Sequence, residues 1–255
     1  MAAMFVAVGG CSDLSSDPPP IRHWGTAVIE GTTTAENTVA ATARALFFDA
    51  ATAAVTNSTA AAQTDACGTF GVDTSTVETV GKNQAGESLA LKIGEQTIPM
   101  NWVPVSFWYA SPTATPFTYT SGQSVALTVP GNGDVYPAGT VSVVLAEPLI
   151  VPSVTVQTNQ PLDITWNGSS TTSSAVLLNL IYASPGSGYG NRQVICELKD
   201  DGAAVIPTSL LADFYTSPPV YRKLTLTRFR TNQVDIDSRT LLHINSSVST
   251  TATLQ

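Results

Sequence analysis

The chain is poor in charge, cysteine and histidine. Only 12% of its 255 residues are charged, and it contains three cysteines and two histidines. The net charge of −8 would repel a phosphate backbone, which argues against nucleic acid as a partner. The cysteines and the distant pair His23 and His243 lack the spacing of metal ligands. No apolar run after Cys11 approaches the roughly 18 residues that a transmembrane helix requires.

Motifs that would mark an enzyme are also missing. The sequence has no nucleophile elbow, phosphate-binding loop or HExxH zinc motif, and the glycine-rich segment 186–190 lacks dinucleotide-binding spacing. Several aspartates in turn-like positions could supply calcium ligands, but none completes a calcium loop, and solvated turn carboxylates are the preferred interpretation. These aspartates are Asp134, Asp200, Asp201, Asp235 and Asp237. We expect no catalytic residue, metal or cofactor.

The N-terminus carries the most informative feature, which is a lipobox-like junction. An apolar stretch at 4–8 and two glycines precede Cys11, and a polar, proline-rich run follows it at 12–20. A signal peptidase would cut before Cys11 and leave its thiol attached to diacylglycerol. Ser12, rather than Asp, after Cys11 resembles lipoproteins that are sorted to the outer membrane, which is therefore the expected location, with plain secretion as the alternative. Residues 1–10 are then a signal-peptide remnant and 11–22 a lipidated, flexible tether.

The other two cysteines fit the same export hypothesis. With Cys11 lipidated, Cys67 and Cys196 are the remaining thiols of a protein in an oxidising compartment. They form either one disulfide that closes a long loop, or two separately buried thiols that act as small hydrophobes. The sequence leaves both alternatives open.

Short apolar segments separated by turn signals predict an all-β protein. Hydrophobic residues make up 43% of the chain, enough for a packed core. Alternation at 89–93, the turn at Gly94 and Glu95, and the segment 96–98 predict a hairpin. The region 38–54 suits a helix or strands broken near Asp49, and its threonine-rich surroundings favour strand. An aromatic strand is expected over 102–109, with Pro104 at an edge or bulge.

Two consecutive β-sandwich domains are expected after the tether. The two prolines in the segment 147–152 predict a linker between a first domain at 23–147 and an immunoglobulin-like domain at 148–248. Within the second domain, 175–182 suits a central strand, and Thr208 or Ser209 is expected to cap a short helix. Two strands near 224–226 and 234–236 precede a last strand at 242–244. The residues 249–255 are expected to form a polar, frayed tail.

With these motifs, the chain resembles a group of uncharacterised bacterial cell-surface lipoproteins that end in an immunoglobulin-like β-sandwich. The resemblance rests on the Cys11 junction, on AGESLAL at 85–91, on PLDITW at 161–166, on VIC at 194–196 and on DDGAAVIP at 200–207. It covers most of the chain, and it implies a fold and a location at the cell surface. It implies no activity.

Two surfaces are candidates for binding. The aromatic segment 102–119 suits a glycan or a protein, although core packing is the commoner use of such residues. Its candidate ligand-binding residues are Trp102, Trp108, Tyr109 and Tyr119. The basic residues Arg222, Lys223, Arg228 and Arg230 suit an acidic polysaccharide or lipid headgroup, or more simply protect a strand edge.

The sequence therefore predicts a lipid-anchored cell-envelope protein without catalysis, in a structural, adhesive or binding role. The alternative is a carbohydrate- or peptide-binding module that uses the aromatic segment 102–119. The expected partners are the membrane, through the N-terminal lipid, and a glycan or protein at the cell surface.

Overall fold

The structure, a computed structural model, describes residues 22–50, 64–71, 83–133 and 135–255. Cys11, the signal remnant, nearly all of the tether, residues 51–54 and Asp134 lie outside this part. The described residues form an almost entirely β fold. The strands of the first half are β1 (Arg22–Ala35), β2 (Thr38–Ala50), β3 (Ala66–Gly71), β4 (Ser88–Ile93), β5 (Gln96–Val103), β6 (Trp108–Ala110), β7 (Phe117–Thr120), β8 (Ser124–Val129) and β9 (Gly139–Val144).

The second half continues the pattern with fewer and longer strands. Its strands are β10 (Leu162–Thr165), β11 (Ala175–Tyr182), β12 (Arg192–Lys199), β13 (Ala203–Ile206), β14 (Lys223–Asp235) and β15 (Thr240–Ala252). A 3-10 turn at Thr208–Leu210, the short helix α1 (Ala212–Thr216) and a 3-10 turn at Pro219–Tyr221 lie between β13 and β14. No helix in the described ranges is long and apolar enough to cross a membrane.

Alternating burial explains why the ambiguous region 38–50 is a strand. Every second residue from Val39 to Phe47 is buried, and all five of these positions are between 0% and 2% exposed because they face the core. A period of two suits a strand with one buried face and does not suit a helix. The preference for strand is confirmed over 38–50, and β2 runs through Asp49 without a break.

Most strands belong to one large sheet, whose two edge strands are β3 and β9. Its order is β3-β12-β11-β14-β15-β1-β2-β6-β5-β4-β8-β9, with β7 paired to β2 beside this path. Strand β1 lies near the middle, antiparallel to β2 and parallel to β15. The strand expected at 175–182 is confirmed as β11, which pairs with both β12 and β14.

One face of the large sheet is covered by two smaller layers. At one end the sheet folds back on itself, so that β9 packs against β14 and β15. The two-stranded sheet β10-β13 and α1 also contribute buried residues to the same continuous core. The packing is close enough that Gly25 has no room for a side chain. A Cβ there would lie 2.5 Å from Leu242 and 2.6 Å from the ring of Phe47.

Strand pairing crosses the predicted domain boundary at 147. Strand β1 of the first segment pairs with β15 of the second, and a single buried cluster contains residues from both. The segment 147–152 is not an exposed linker, because Glu147 and Leu149 are buried and the Leu149 N–H donates to Thr33 Oγ1 at 2.9 Å. The all-β sandwich prediction is confirmed, whereas the division into two domains stays a prediction.

The C-terminal prediction was wrong. Strand β15 runs to Ala252, with Val248 fully buried, and Leu254 forms a parallel bridge with Val154. The residues 249–255 are therefore not a frayed tail. Thr-rich strands look polar in sequence, but alternate positions of β15 face the core while their neighbours face outward.

Three further element predictions need correction. The hairpin 88–103 is confirmed, with Gly94 at φ 56° in its two-residue turn, but the aromatic strand is divided. Pro104 begins a tight turn, and Val103 pairs with Trp108 across it. The strands expected near 224–226 and 234–236 are one strand, β14. Neither Thr208 nor Ser209 caps α1, since its N-cap is Leu211 without a side-chain bond.

Candidate functional site

The two cysteines of the folded part are joined. Cys67 and Cys196 are direct partners in the β3–β12 register, and their sulfurs form a disulfide. Cys196 is fully buried, and Cys67 packs against the core beside it. The bond ties the edge strand β3 to the body of the sheet and closes a loop with a sequence separation of 129.

A surface ion pair lies at the start of the same strand pair. Lys199 Nζ is 2.7 Å from Asp65 Oδ2, and the Lys199 backbone N–H donates to Asp65 Oδ1 at 2.9 Å. These hydrogen bonds lower the pKa of Asp65. The ion pair and the disulfide both lie at the N-terminal end of β3, and the solvent-exposed ion pair itself contributes little.

The candidate aromatic residues do not form one exposed platform. Tyr109 is fully buried and its hydroxyl accepts from the Ala85 N–H at 3.0 Å. Tyr119 is 2% exposed, and its hydroxyl donates to the Ala146 carbonyl at 3.0 Å. Both tyrosines are core residues with their polar ends satisfied, so neither is available to stack on a sugar.

The two tryptophans of this segment point to opposite faces of the sheet. Trp102 is the direct partner of Tyr109 and packs its ring 5.0 Å from the tyrosine ring, on the core side. Trp108 lies on the other side, with the guanidinium of Arg44 5.7 Å from its ring centroid. Neighbouring strand positions alternate between faces, which explains the separation. The exposed apolar residues here are instead Val105 and Phe107, in the turn.

Two of the four residues of the predicted basic patch lie in the interior, whereas Lys223 is exposed and Arg222 is half-buried. Arg228 is fully buried and Arg230 is 2% exposed, so the interpretation of β14 as a protected edge was wrong. Strand β14 is central, with β11 on one side and β15 on the other. The sequence held a signal for this, because Arg228 and Arg230 continue the alternating row begun by the buried Leu224 and Leu226.

Arg228 is the centre of a buried polar network that the sequence analysis missed. Its Nε and Nη2 donate to the two oxygens of Asp200 at 2.6 and 2.8 Å. Its remaining donors reach main-chain carbonyls, at Pro148 (2.7 Å) and at Asn167. The side-chain exposures of the two ionic partners are 0% and 1%, so this is a desolvated pair.

Asp200 accepts two further hydrogen bonds, from residues next to β10 and β11. The indole N–H of Trp166 donates to Oδ1 at 2.9 Å, and the hydroxyl of Ser174 donates to Oδ2 at 2.6 Å. Asp200 thus links β14, the end of β10 and the start of β11, and it is a structural group rather than a calcium ligand. In the described ranges no three His, Cys, Asp or Glu residues converge on a metal position.

A second ion pair, Arg230 with Glu147, lies next to the first. Arg230 Nη2 donates to Glu147 Oε1 at 3.2 Å, and Ser170 donates to the same carboxylate through its hydroxyl and its backbone N–H. Burial works to raise the pKa of Glu147, but the hydrogen bonds from Ser170 and Ser169 and the charge of Arg230 outweigh it. The pKa of Glu147 is therefore below its usual value.

The two histidines lie on the large sheet. His23 Nδ1 is 2.7 Å from Asp49 Oδ1, across the β1–β2 ladder. His243 Nδ1 lies 3.2 Å from Thr26 Oγ1, its direct partner in the parallel β1–β15 ladder, and burial lowers the pKa of its imidazole. A histidine beside a hydroxyl supplies two of the three groups of a hydroxyl–histidine–carboxylate triad. Among the hydrogen bonds of the described residues, no carboxylate orients this imidazole, so a triad is not assembled.

Comparison with known proteins adds no family to these observations. No protein-family model matches the chain, and no curated protein sequence matches it.

Proposed function

We propose that this chain is an exported, lipid-anchored protein of the bacterial cell envelope, with a structural, adhesive or binding role and without catalysis. The observation that carries the proposal is the Cys67–Cys196 disulfide. Disulfides persist in oxidising compartments and are rare in the cytosol, so this disulfide supports export.

The anchor is the N-terminal part of the proposal. Cys11 follows an apolar stretch and two glycines, and a polar, proline-rich segment separates it from β1. This arrangement supports lipidation of the Cys11 thiol, with a spacer before the fold. The outer membrane is the proposed location, and secretion without a lipid is the alternative.

Intact mass and membrane partition of the natively expressed protein test the anchor. We expect the wild type to carry a diacyl-sized mass increase and to enter the detergent phase. A Cys11→Ala variant should lose both properties while keeping its fold, because Cys11 precedes the first strand. An unmodified wild type in the aqueous phase would refute lipidation and leave plain secretion as the proposal.

The carbohydrate- or peptide-binding alternative takes second place. Of its four residues, the two tyrosines are core residues and the two tryptophans face opposite sides. An exposed apolar turn is what remains, at Val105 and Phe107. Glycan arrays with the wild type and a Phe107→Ser variant would separate this alternative, which requires binding that the variant loses.

A further inference from the structure

The strands nearest the two chain ends of the described fold lie side by side and run in the same direction. Strand β1 pairs with β15 in parallel over nine residues, from His23 opposite Thr240 to Gly31 opposite Val248. The chain leads into β1 at one end of this ladder and continues past Ala252, the last residue of β15, at the other end. Such a pairing decides how the fold responds to a pulling force.

Tension between the chain ends would load this ladder in shear. The force would draw β1 toward its N-terminal end and β15 toward its C-terminal end, which are opposite directions along the same axis. The evenly spaced hydrogen bonds of a parallel ladder then share the load and must break together. An antiparallel hairpin pulled at its free ends would instead open one pair at a time.

Neighbouring structure prevents the two strands from sliding apart. Strand β1 is also paired with β2 over thirteen positions, and β15 with β14 over twelve. Side chains link the ladder itself. Ser247 Oγ donates to the Ile29 carbonyl at 3.2 Å, and Thr26 Oγ1 is 3.2 Å from His243 Nδ1. The close packing at Gly25 adds steric interlock on the core side.

The disulfide limits what tension can extend. Because Cys67 and Cys196 are joined, the chain between them cannot lengthen while the bond is intact. The strands from β4 to β11 lie inside this covalent loop. Only the segments outside it, which include β1, β14 and β15, would be drawn out.

We infer that this fold is built to carry tension between an anchor ahead of β1 and a load transmitted through the end of β15. The inference rests on the proposed lipid anchor for its biological setting, since a membrane-held N-terminus is one of the two points of force. Its mechanical content rests on the strand order alone. A structural or adhesive role at the cell surface would use this property.

Single-molecule force spectroscopy tests the inference by changing only the direction of pulling. The full chain with Cys11→Ser is held at its two ends, and the control is held at an exposed handle thiol, Lys223→Cys, and the C-terminus. Leu224 pairs with Ala252, so the control load unzips β14 from β15. We expect a several-fold higher unfolding force for end-to-end pulling at the same speed. Equal forces, or a weaker end-to-end response, would overturn the inference.

Two further measurements keep the result interpretable. The thermal midpoints of the protein pulled at its two ends and of the Lys223→Cys control should coincide. If Lys223→Cys is destabilised, Thr225→Cys, whose partner is Thr251, loads the strands in the same direction. Reduction of the disulfide should lengthen the unfolded chain by about 430–460 Å, from its separation of 129 residues at about 3.3–3.6 Å each.

Failure of the mechanical inference is distinguishable from failure of the anchor. A lipidated protein with a weak end-to-end response would overturn only the inference. A strong end-to-end response, combined with a natively expressed wild type that carries no lipid, would leave the mechanical property standing and overturn the anchor.

Discussion

Replacement of Arg228 by methionine should be among the most destabilising single changes in this fold. Methionine fills much of the same space but removes every donor that Arg228 supplies to Asp200 and to the carbonyls of Pro148 and Asn167. Breaking a buried ion pair by removing one partner costs about 3–5 kcal/mol, because the other charge stays buried. Domains of ordinary stability unfold with about 5–15 kcal/mol, so a large share of the total would be lost.

The structure also sets the expected order of a short variant series. Asp200 keeps the donors Trp166 and Ser174 when Arg228 is removed, so its charge is not left entirely alone. Arg228→Lys retains the positive charge but supplies fewer donors in a different geometry. We therefore expect its free energy of unfolding to lie between those of wild type and Arg228→Met. Lys223→Met, on the same strand but exposed, should change stability by no more than about 0.5 kcal/mol.

Urea unfolding with the disulfide intact, followed by circular dichroism and tryptophan fluorescence, measures the series. The midpoint should move while the slope stays constant, which separates a stability change from a change in the unfolded state. A loss below about 1 kcal/mol for Arg228→Met, the size of an average substitution, would refute the importance of this network.

Three other outcomes follow from the same structure. Cys67→Ser should lower stability by roughly 4–5 kcal/mol in the chain-entropy account of a 129-residue loop, measured by urea unfolding beside reduced wild type; an unchanged midpoint would count against the bond. Burial lowers the pKa of the His243 imidazole from its usual 6.5, so the unfolded chain binds a proton more readily than the folded one and the free energy of unfolding should fall as pH drops below about 6.5. His243→Gln should make this pH dependence shallower in urea unfolding. If the variant keeps the same pH dependence, other groups cause it. Gly25→Ala should lower the free energy of unfolding by about 1–3 kcal/mol, because its methyl group would overpack against Leu242. Gly188→Ala has open space around it and should leave the thermal midpoint unchanged. Similar effects of the two substitutions would exclude overpacking as the cause.

The sequence predicted those parts of the fold that depend on local periodicity. The hairpin at 88–103 and the central strand at 175–182 were readable because alternation and a glycine turn are local signals. Strand β2 was predictable for the same reason, because its apolar residues alternate with a period of two. The parallel pairing of β1 with β15 has no local signal, since it joins segments more than 200 residues apart.

Buried charge misled the sequence analysis most. Arg228 and Arg230 suggested an exposed edge because basic residues are rarely buried without partners, and those partners, Asp200 and Glu147, are distant in sequence. The polar tail was wrong for a related reason. Ser249, Thr250 and Thr251 are less buried than Val248 and Ala252 on either side of them, and this polar run concealed the two buried residues.

The disulfide state of the natively expressed protein tests the account most directly, because export is the claim on which the anchor and the envelope role depend. Cells are quenched in acid, the protein is denatured and alkylated, then reduced and alkylated with a second reagent, and the cysteine peptides are analysed by mass spectrometry. The account predicts that Cys67 and Cys196 carry only the second reagent, as partners of a disulfide formed outside the cytoplasm. Labelling of both cysteines by the first reagent would show free thiols in the cell and contradict the export proposal.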